Sequence, residues 1–148
     1  KHGFVAKFRT TWQPGELTAV AYTNGRESGR QTLRSADGPL SLRVTTDRTG
    51  LDADGQSLAY LTIEVVDAAG TISATATAEL TVSVSGPATL AGLGSATAAP
   101  THPYVGSTTQ TYRGAAQAVV RAGRKAGEVA VTVDAGNVGS ATTTLHLR

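Results

Sequence analysis

The stretch from Gln13 to Ala36, QPGELTAVAYTNGRESGRQTLRSA, predicts two β-strands joined by a tight turn. Side chains alternate in size and polarity along Glu16–Tyr22, as expected when neighbouring residues point to opposite faces of a strand. Asn24-Gly25 suits a two-residue hairpin turn, because both positions tolerate a positive φ. The chain then returns as a second strand over Glu27–Arg34.

The same alternation extends to both sides of this hairpin. Phe4–Arg9 is predicted as a strand before it, and Ser35–Pro39 as a linker after it. The Asp47–Gln56 segment has the residues of turns throughout. Two strands are expected to pair about Gly114, and all the strands predicted after the linker are 40–46, 58–67, 78–84, 88–93, 109–112, 115–121, 128–135 and 140–147.

Short strands separated by frequent turns are typical of a sandwich. We therefore predict an all-β protein with an immunoglobulin-like antiparallel β-sandwich over residues 37–148. Residues 1–36 are predicted to be the C-terminal three strands of a partial upstream β-domain. The chain starts at Lys1 rather than at Met, so we expect it to be a fragment of a longer protein.

Composition excludes some classes of partner. The formal charge is +2, and Lys and Arg are scattered rather than gathered in a basic stripe, so no nucleic-acid partner is predicted. No apolar run reaches the roughly 18 residues of a membrane span, so no membrane partner is predicted either. The chain has no Cys, and the redox compartment is therefore not recorded in it.

Metal and cofactor sites are not predicted. Asp52-Ala53-Asp54-Gly55 matches the start of an acidic calcium loop, but the later ligands of that loop are missing and the same residues form ordinary turns. The three histidines have no close carboxylate or Cys partner in the sequence, which disfavours zinc. We expect no cofactor and no metal.

Trp12 and Tyr104 are the candidate carbohydrate-binding residues. An aromatic ring with a polar edge suits the amphipathic face of a sugar, and Tyr22, Tyr60 and Tyr112 could assist. The favoured alternative for Trp12 is that it packs under the hairpin or against further upstream strands, because a large aromatic side chain is more often buried than displayed. Tyr104, in the long loop from Gly94 to Gly106, is the better exposed candidate.

These turn and strand motifs resemble a known family. Trp12, Pro14–Tyr22 and Asn24-Gly25 resemble the accessory β-domain behind the catalytic barrel of bacterial β-galactosidases of glycoside hydrolase family 2. The later motifs resemble the immunoglobulin-like domain that closes such chains; they are Leu51–Gln56, Leu61–Asp67, Ser85–Leu90 and Tyr112-Arg113-Gly114. The resemblance runs from about Phe8 to the C-terminus.

The resemblance implies a non-catalytic region of a larger enzyme. In that family the acid/base and nucleophile Glu residues lie on the barrel, so no catalytic residue is assigned here. The implied partners are the catalytic barrel and other domains of the parent chain, a second copy in a homo-oligomer, and a galactoside or polysaccharide. A carbohydrate-binding module and an adhesin-type surface domain are the alternatives, and both would share the fold.

Overall fold

A computed structural model describes residues 5–148 of the chain. The described part contains eleven β-strands and one short 3-10 helix, Gly136–Val138. It divides into two compact units, one ending at Ser35 and the other spanning Ala36–Arg148. Each unit has its own hydrogen-bonded strands.

The first unit contains the predicted hairpin. Its strands are β1, Glu16–Thr23, and β2, Arg26–Arg34, which pair antiparallel along their length. Asn24 and Gly25 turn the chain with φ values of 50° and 76°, as the sequence predicts. Every residue of the two strands is exposed except Val20, which is half-buried. Neither face of this hairpin is therefore covered within its own unit.

The prediction of a third strand in this unit is wrong. Phe4 lies outside the described residues, and residues 5–13 have no strand. Alternating side chains do not make a strand unless a neighbour accepts and donates the backbone hydrogen bonds. β1 and β2 bond to each other in a two-stranded sheet, and the Phe8 side chain is 84% exposed. The alternating pattern of residues 5–9 therefore has no partner within this unit.

The second unit is a sandwich of two sheets, built from nine strands. β3, Ser41–Thr46, β5, Leu58–Val66, β7, Ala88–Gly94, and β9, Ala115–Ala122, form a four-stranded sheet in the order β3-β5-β9-β7. The other sheet has the order β4-β11-β10-β6-β8; its strands are β4, Gly50–Leu51, β6, Glu79–Ser85, β8, Thr108–Gln110, β10, Gly127–Asp134, and β11, Ser140–Leu147.

These orders confirm the predicted immunoglobulin-like sandwich. β3-β5-β9-β7 corresponds to the A-B-E-D sheet of that fold, and β11-β10-β6 corresponds to its G-F-C sheet. One pairing differs from the predicted antiparallel arrangement: β4 pairs with β11 in parallel, with Leu51 opposite Leu147. The core lies between the sheets, and its largest fully buried side chains are Leu61, Ile63, Val65, Leu80, Val82, Val120, Val129, Val131, Val133 and Leu145.

One local prediction in the sandwich holds only in part, and another is wrong. The pairing predicted about Gly114 is limited to one antiparallel bridge between Tyr112 and Ala115, and it does not extend into a hairpin, because β8 bonds to β6 while β9 bonds to β5 and β7. The buried Thr111 hydroxyl explains the difference: it donates to the Ala76 carbonyl at 3.2 Å and accepts from the Ala78 N–H at 2.9 Å. These bonds hold the end of β8 against the segment that enters β6.

The wrong prediction concerns the segment predicted to be turns throughout. β4 lies inside it, and its Leu51 side chain is only 3% exposed. The Ala53 N–H donates to the Arg148 carbonyl, and the Arg148 N–H donates to the Leu51 carbonyl. A two-residue strand is too short to show a period, so the local sequence did not reveal it.

Candidate functional site

Tyr104 lies in the loop that follows β7 and is held against that strand. Its carbonyl accepts a hydrogen bond from the Leu93 N–H at 2.9 Å. Its ring lies over Gly94, where an added Cβ would stand 2.5 Å from Cδ1 and 2.6 Å from Cε1. The missing side chain at Gly94 therefore makes room for the ring, which remains 53% exposed.

A groove of about 540 Å³ runs between Tyr104 and Tyr112. β9 contributes Gln117 and Val119 from the face that points away from the core. β7 contributes Gly92 and Gly94, with the loop after it completing one side. None of the described residues that line this groove carries a formal charge, and the full set is Gly92, Leu93, Gly94, Ser95, Ala96, Tyr104, Tyr112, Ala115, Ala116, Gln117 and Val119.

Tyr60 extends the aromatic surface next to the groove. It lies on β5 directly opposite Val119, and residues opposite each other in an antiparallel pair share a face. Tyr60 and Tyr112 are each 41% exposed. The Arg113 guanidinium stands 5.6 Å from the centroid of the Tyr112 ring, so one face of that ring is covered.

Tyr104 and Tyr112 also line a smaller depression, of about 180 Å³. His102 and Thr101 belong to this depression, and Thr101 Oγ1 and His102 Nδ1 share a hydrogen bond of 3.1 Å. Tyr104 therefore stands between two concave surfaces. Sequence reasoning singled out Tyr104 but did not place Tyr112 and Tyr60 beside it. Gln117, the polar residue within the apolar run AAQAVV, was the one visible sign of an outward face.

Trp12, the other predicted carbohydrate-binding residue, belongs to the first unit. Its side chain is 68% exposed, so the hairpin does not bury it and that part of the packing prediction is wrong. Packing against further strands of a parent chain stays a prediction, and so does stacking on a sugar.

Several carboxylates are engaged with basic side chains. Glu16 pairs with Arg34, Glu27 pairs with Arg30, and Glu64 bonds Arg43 at 2.8 Å. Glu79 and Asp134 line one depression of about 550 Å³, where β6 begins and β10 ends. Asp134 already accepts the Gly136 N–H at 2.8 Å, which stabilises the turn after β10. No carboxylate was predicted to be catalytic, and this geometry assigns none.

Asp54, one of the two acidic residues of the calcium-like motif, stabilises a turn, and Asp47 and Asp67 also accept backbone N–H groups. Asp54 Oδ1 accepts the N–H groups of Ser57 and Gln56, each at 2.7 Å, and these bonds hold the pKa of its carboxyl below the ordinary value. The Asp47 carboxylate accepts the Tyr60 N–H at 2.8 Å, which lowers its pKa in the same way. Both side chains thus serve backbone donors of the same unit.

Asp67 is the most enclosed of these carboxylates, at 6% exposure. Its oxygens accept the N–H groups of Thr71, Asp37 and Ala69 at 2.8, 3.1 and 2.9 Å. The Thr71 bond is the largest cause that lowers the pKa of this carboxyl, followed by the Asp37 bond, while burial opposes them. Asp67 therefore closes the turn after β5 and ties it to the start of the sandwich.

Residues 5–148 contain no group of three or more His, Cys, Asp or Glu side chains that could hold a metal ion. Within the same residues, no helix is long and apolar enough to cross a membrane.

Comparison with known proteins identifies the family. The family model described as glycoside hydrolase family 2 C-terminal domain 5 matches residues 42–144, which is most of the sandwich unit. The match covers more than half of the chain, and the chain belongs to this family. The resemblance read from the turn and strand motifs is confirmed at this level.

Two named glycosidases are similar to this chain in sequence. Beta-galactosidase BoGH2A of Bacteroides ovatus is 30% identical over 86 residues, covering 58% of this chain and 10% of the relative. A beta-glucuronidase of Formosa agariphila is 32% identical over 91 residues, covering 60% of this chain and 9% of the relative. The chain thus spans about a tenth of the length of these curated relatives.

A solved structure is also similar. A glycosyl hydrolase family 2 member from Bacteroides cellulosilyticus superimposes with a TM-score of 0.86 at 34% identity. The superposition covers 94% of this chain and 18% of the solved chain.

Proposed function

We propose that this region is a non-catalytic structural domain of a family 2 glycosidase, and that it packs against other domains of its parent chain. The observation that carries the proposal is the first unit, whose large apolar side chains are exposed. Phe8 is 84% exposed, Trp12 68%, and Tyr22 and Leu33 65% each. Leu17, which is 56% exposed, lies directly opposite Leu33 in the hairpin, and exposed apolar side chains grouped in this way mark interaction surfaces more often than free surfaces.

A physical argument supports packing within a larger protein. An isolated two-stranded hairpin is at best marginally stable in water. Covering one Phe or Leu side chain contributes about 1.5–3 kcal/mol, so covering several would stabilise the hairpin and its docking together. The catalytic barrel and the other domains of the parent chain are the proposed partners, with a second copy as the alternative partner.

The proposal is tested by Leu33→Ser in the parent polypeptide. We expect a lower thermal midpoint for the parent, because a buried apolar contact is lost, and almost no change in the 148-residue chain alone. Gln31→Ser is the matched control, because Gln31 lies two residues before Leu33 on the same face of β2 and is exposed. A parent enzyme that tolerates Leu33→Ser as well as Gln31→Ser would contradict the proposal.

Catalysis is tested separately. We expect the 148-residue chain to hydrolyse neither a nitrophenyl β-galactoside nor a nitrophenyl β-glucuronide. Hydrolysis that is lost when Glu79 is replaced by Gln would overturn the non-catalytic assignment, since Glu79 shares a depression with Asp134.

A finer proposal concerns the substrate of the parent. We infer a β-galactoside, supported by the similarity to a beta-galactosidase and by the motifs around Asn24-Gly25. The related beta-glucuronidase makes β-glucuronides the competing substrate class. Relative kcat/KM of the parent on the two nitrophenyl glycosides decides between them, and a preference for the glucuronide would contradict the inference.

A further inference from the structure

We propose that the groove between Tyr104 and Tyr112 binds one uncharged sugar unit of a glycan chain, with Tyr60 extending the platform to a neighbouring unit. This inference does not depend on the proposed structural role of the hairpin. It concerns the outer face of the sheet formed by β3, β5, β9 and β7, within the second unit.

The size and charge of the groove define the class of ligand. Its volume of about 540 Å³ falls in the range of small-molecule sites, about 300–1,000 Å³. The described lining residues are all uncharged, so the groove itself offers no charge to replace the hydration that a charged ligand would lose; the Arg113 guanidinium lies against the Tyr112 ring and is not one of these lining residues. The groove therefore favours a neutral molecule.

The lining chemistry favours a sugar among neutral molecules. A pyranose has an apolar C–H face and a rim of hydroxyl groups. Tyr104 and Tyr112 each provide an apolar ring with a polar tip, which matches such a molecule. Gln117 lines the same groove from β9 and offers both a carbonyl acceptor and amide donors. Tyr60 lies one strand away on the same face, where the next sugar of a chain would reach.

Both groove tyrosines are fixed by the backbone. Tyr104 is seated on Gly94 and bonded through its carbonyl to Leu93. Tyr112 begins a tight turn in which its N–H donates to the Ala115 carbonyl at 2.9 Å and its carbonyl accepts the Ala115 N–H at 3.1 Å. A platform that is already ordered loses less conformational entropy when a ligand binds.

The test is an NMR titration of the 15N-labelled 148-residue chain. The probes are neutral gluco-, manno- and galacto-oligosaccharides, together with an oligogalacturonate as the charged counterpart. We expect saturable amide shifts around Tyr104, Tyr112 and Gln117 with at least one neutral probe. The inference is overturned if no neutral probe gives saturable shifts there, if the shifts centre on Trp12, or if only the uronate binds.

Substitutions locate the site. Tyr104→Ala is expected to weaken binding about tenfold or more, through loss of the ring contact. Gly94→Ala keeps the tyrosine but displaces its ring, so a similar loss is expected. Tyr22→Ala is the control, because Tyr22 is an exposed tyrosine of the first unit.

Dispersed spectra of each variant establish that it is folded. If Tyr104→Ala fails to fold, Gly94→Ala and Gln117→Ala carry the test. Binding that is unchanged in the folded variants of the groove overturns the proposal, as does an equal loss in Tyr22→Ala.

Discussion

At the scale of single residues, two glycines with a positive φ distinguish the backbone strain of a substitution from the steric clash of its added Cβ. Gly114 has φ 74° and Gly136 has φ 58°. A Cβ at Gly114 would collide with the Ser73 carbonyl oxygen, whereas nothing lies within 4 Å of a Cβ built on Gly136. One position therefore carries both backbone strain and a clash, and the other carries backbone strain alone.

We expect Gly136→Ala to lower the free energy of unfolding by about 1–2 kcal/mol, the usual cost of a left-handed backbone for a residue with a Cβ. Gly114→Ala should cost clearly more, because the Ser73 backbone must also move. Urea unfolding of both variants measures the difference. Equal losses would show that the turn relaxes without disturbing Ser73.

Asp67 predicts a dependence of stability on pH. Its pKa is lowered in the folded state, as are those of Asp54 and Asp47. The stabilisation is therefore complete at a pH above about 3.9, the pKa of an Asp carboxyl in the unfolded chain. It is lost as the pH falls through the lower pKa values of the folded state. We expect the free energy of unfolding to fall below about pH 4.

Asp67→Asn should lower stability at neutral pH, because its amide has one acceptor oxygen whereas the carboxylate uses two for three backbone donors. It should also weaken the loss of stability at acid pH, because the amide does not titrate. Asp52→Asn is the control, since the Asp52 side chain is 74% exposed and has only a 3.8 Å contact with Arg148. Urea unfolding between about pH 2.5 and 7 measures both. An unchanged loss of stability at acid pH in Asp67→Asn would count against the assigned role.

At the scale of elements, the sequence predicts strands that alternate over a buried face. β5 and β10 show this, because Leu61, Ile63 and Val131 are fully buried where the period places them. The hairpin of β1 and β2 was predictable for a different reason, since Asn24-Gly25 fixes the turn locally.

Pairing over long distances was not predictable in the same way. β8 lies close to β9 in the sequence but joins β6 in the other sheet, and a buried Thr111 hydroxyl secures that choice. β4 consists of two residues that pair with the last strand. The groove could not be predicted fully for the same reason. Tyr104 could be chosen from the sequence as an exposed loop aromatic, but Tyr60 is placed next to the groove by the register of β5 and β9.

The alternation along β5 gives a matched pair of substitutions. Leu61 is 0% exposed, and Leu61→Ala should lower the free energy of unfolding by about 2–5 kcal/mol through lost contacts and a cavity. The next residue, Thr62, points to the outer face and is exposed, so Thr62→Ala should cost less than about 1 kcal/mol. Chemical denaturation measures both, and comparable losses would contradict the assigned faces.

At the scale of the whole molecule, we propose that the sandwich folds without the first unit. The buried core is built from residues between Leu51 and Leu147, and none of its members precedes Ala36 among the described residues. Residues 36–148 alone should therefore melt within about 3 °C of the 148-residue chain. A much lower midpoint for the shorter chain would show that the two units are one folding domain.

The central claim is that the hairpin unit is a packing surface for the parent enzyme. Hydrogen exchange of the β1 and β2 amides, measured in the 148-residue chain and in the parent polypeptide, tests it most directly. We predict rapid exchange in the chain alone, because both faces of the hairpin are exposed, and strong protection in the parent. Equally rapid exchange in both would contradict the account.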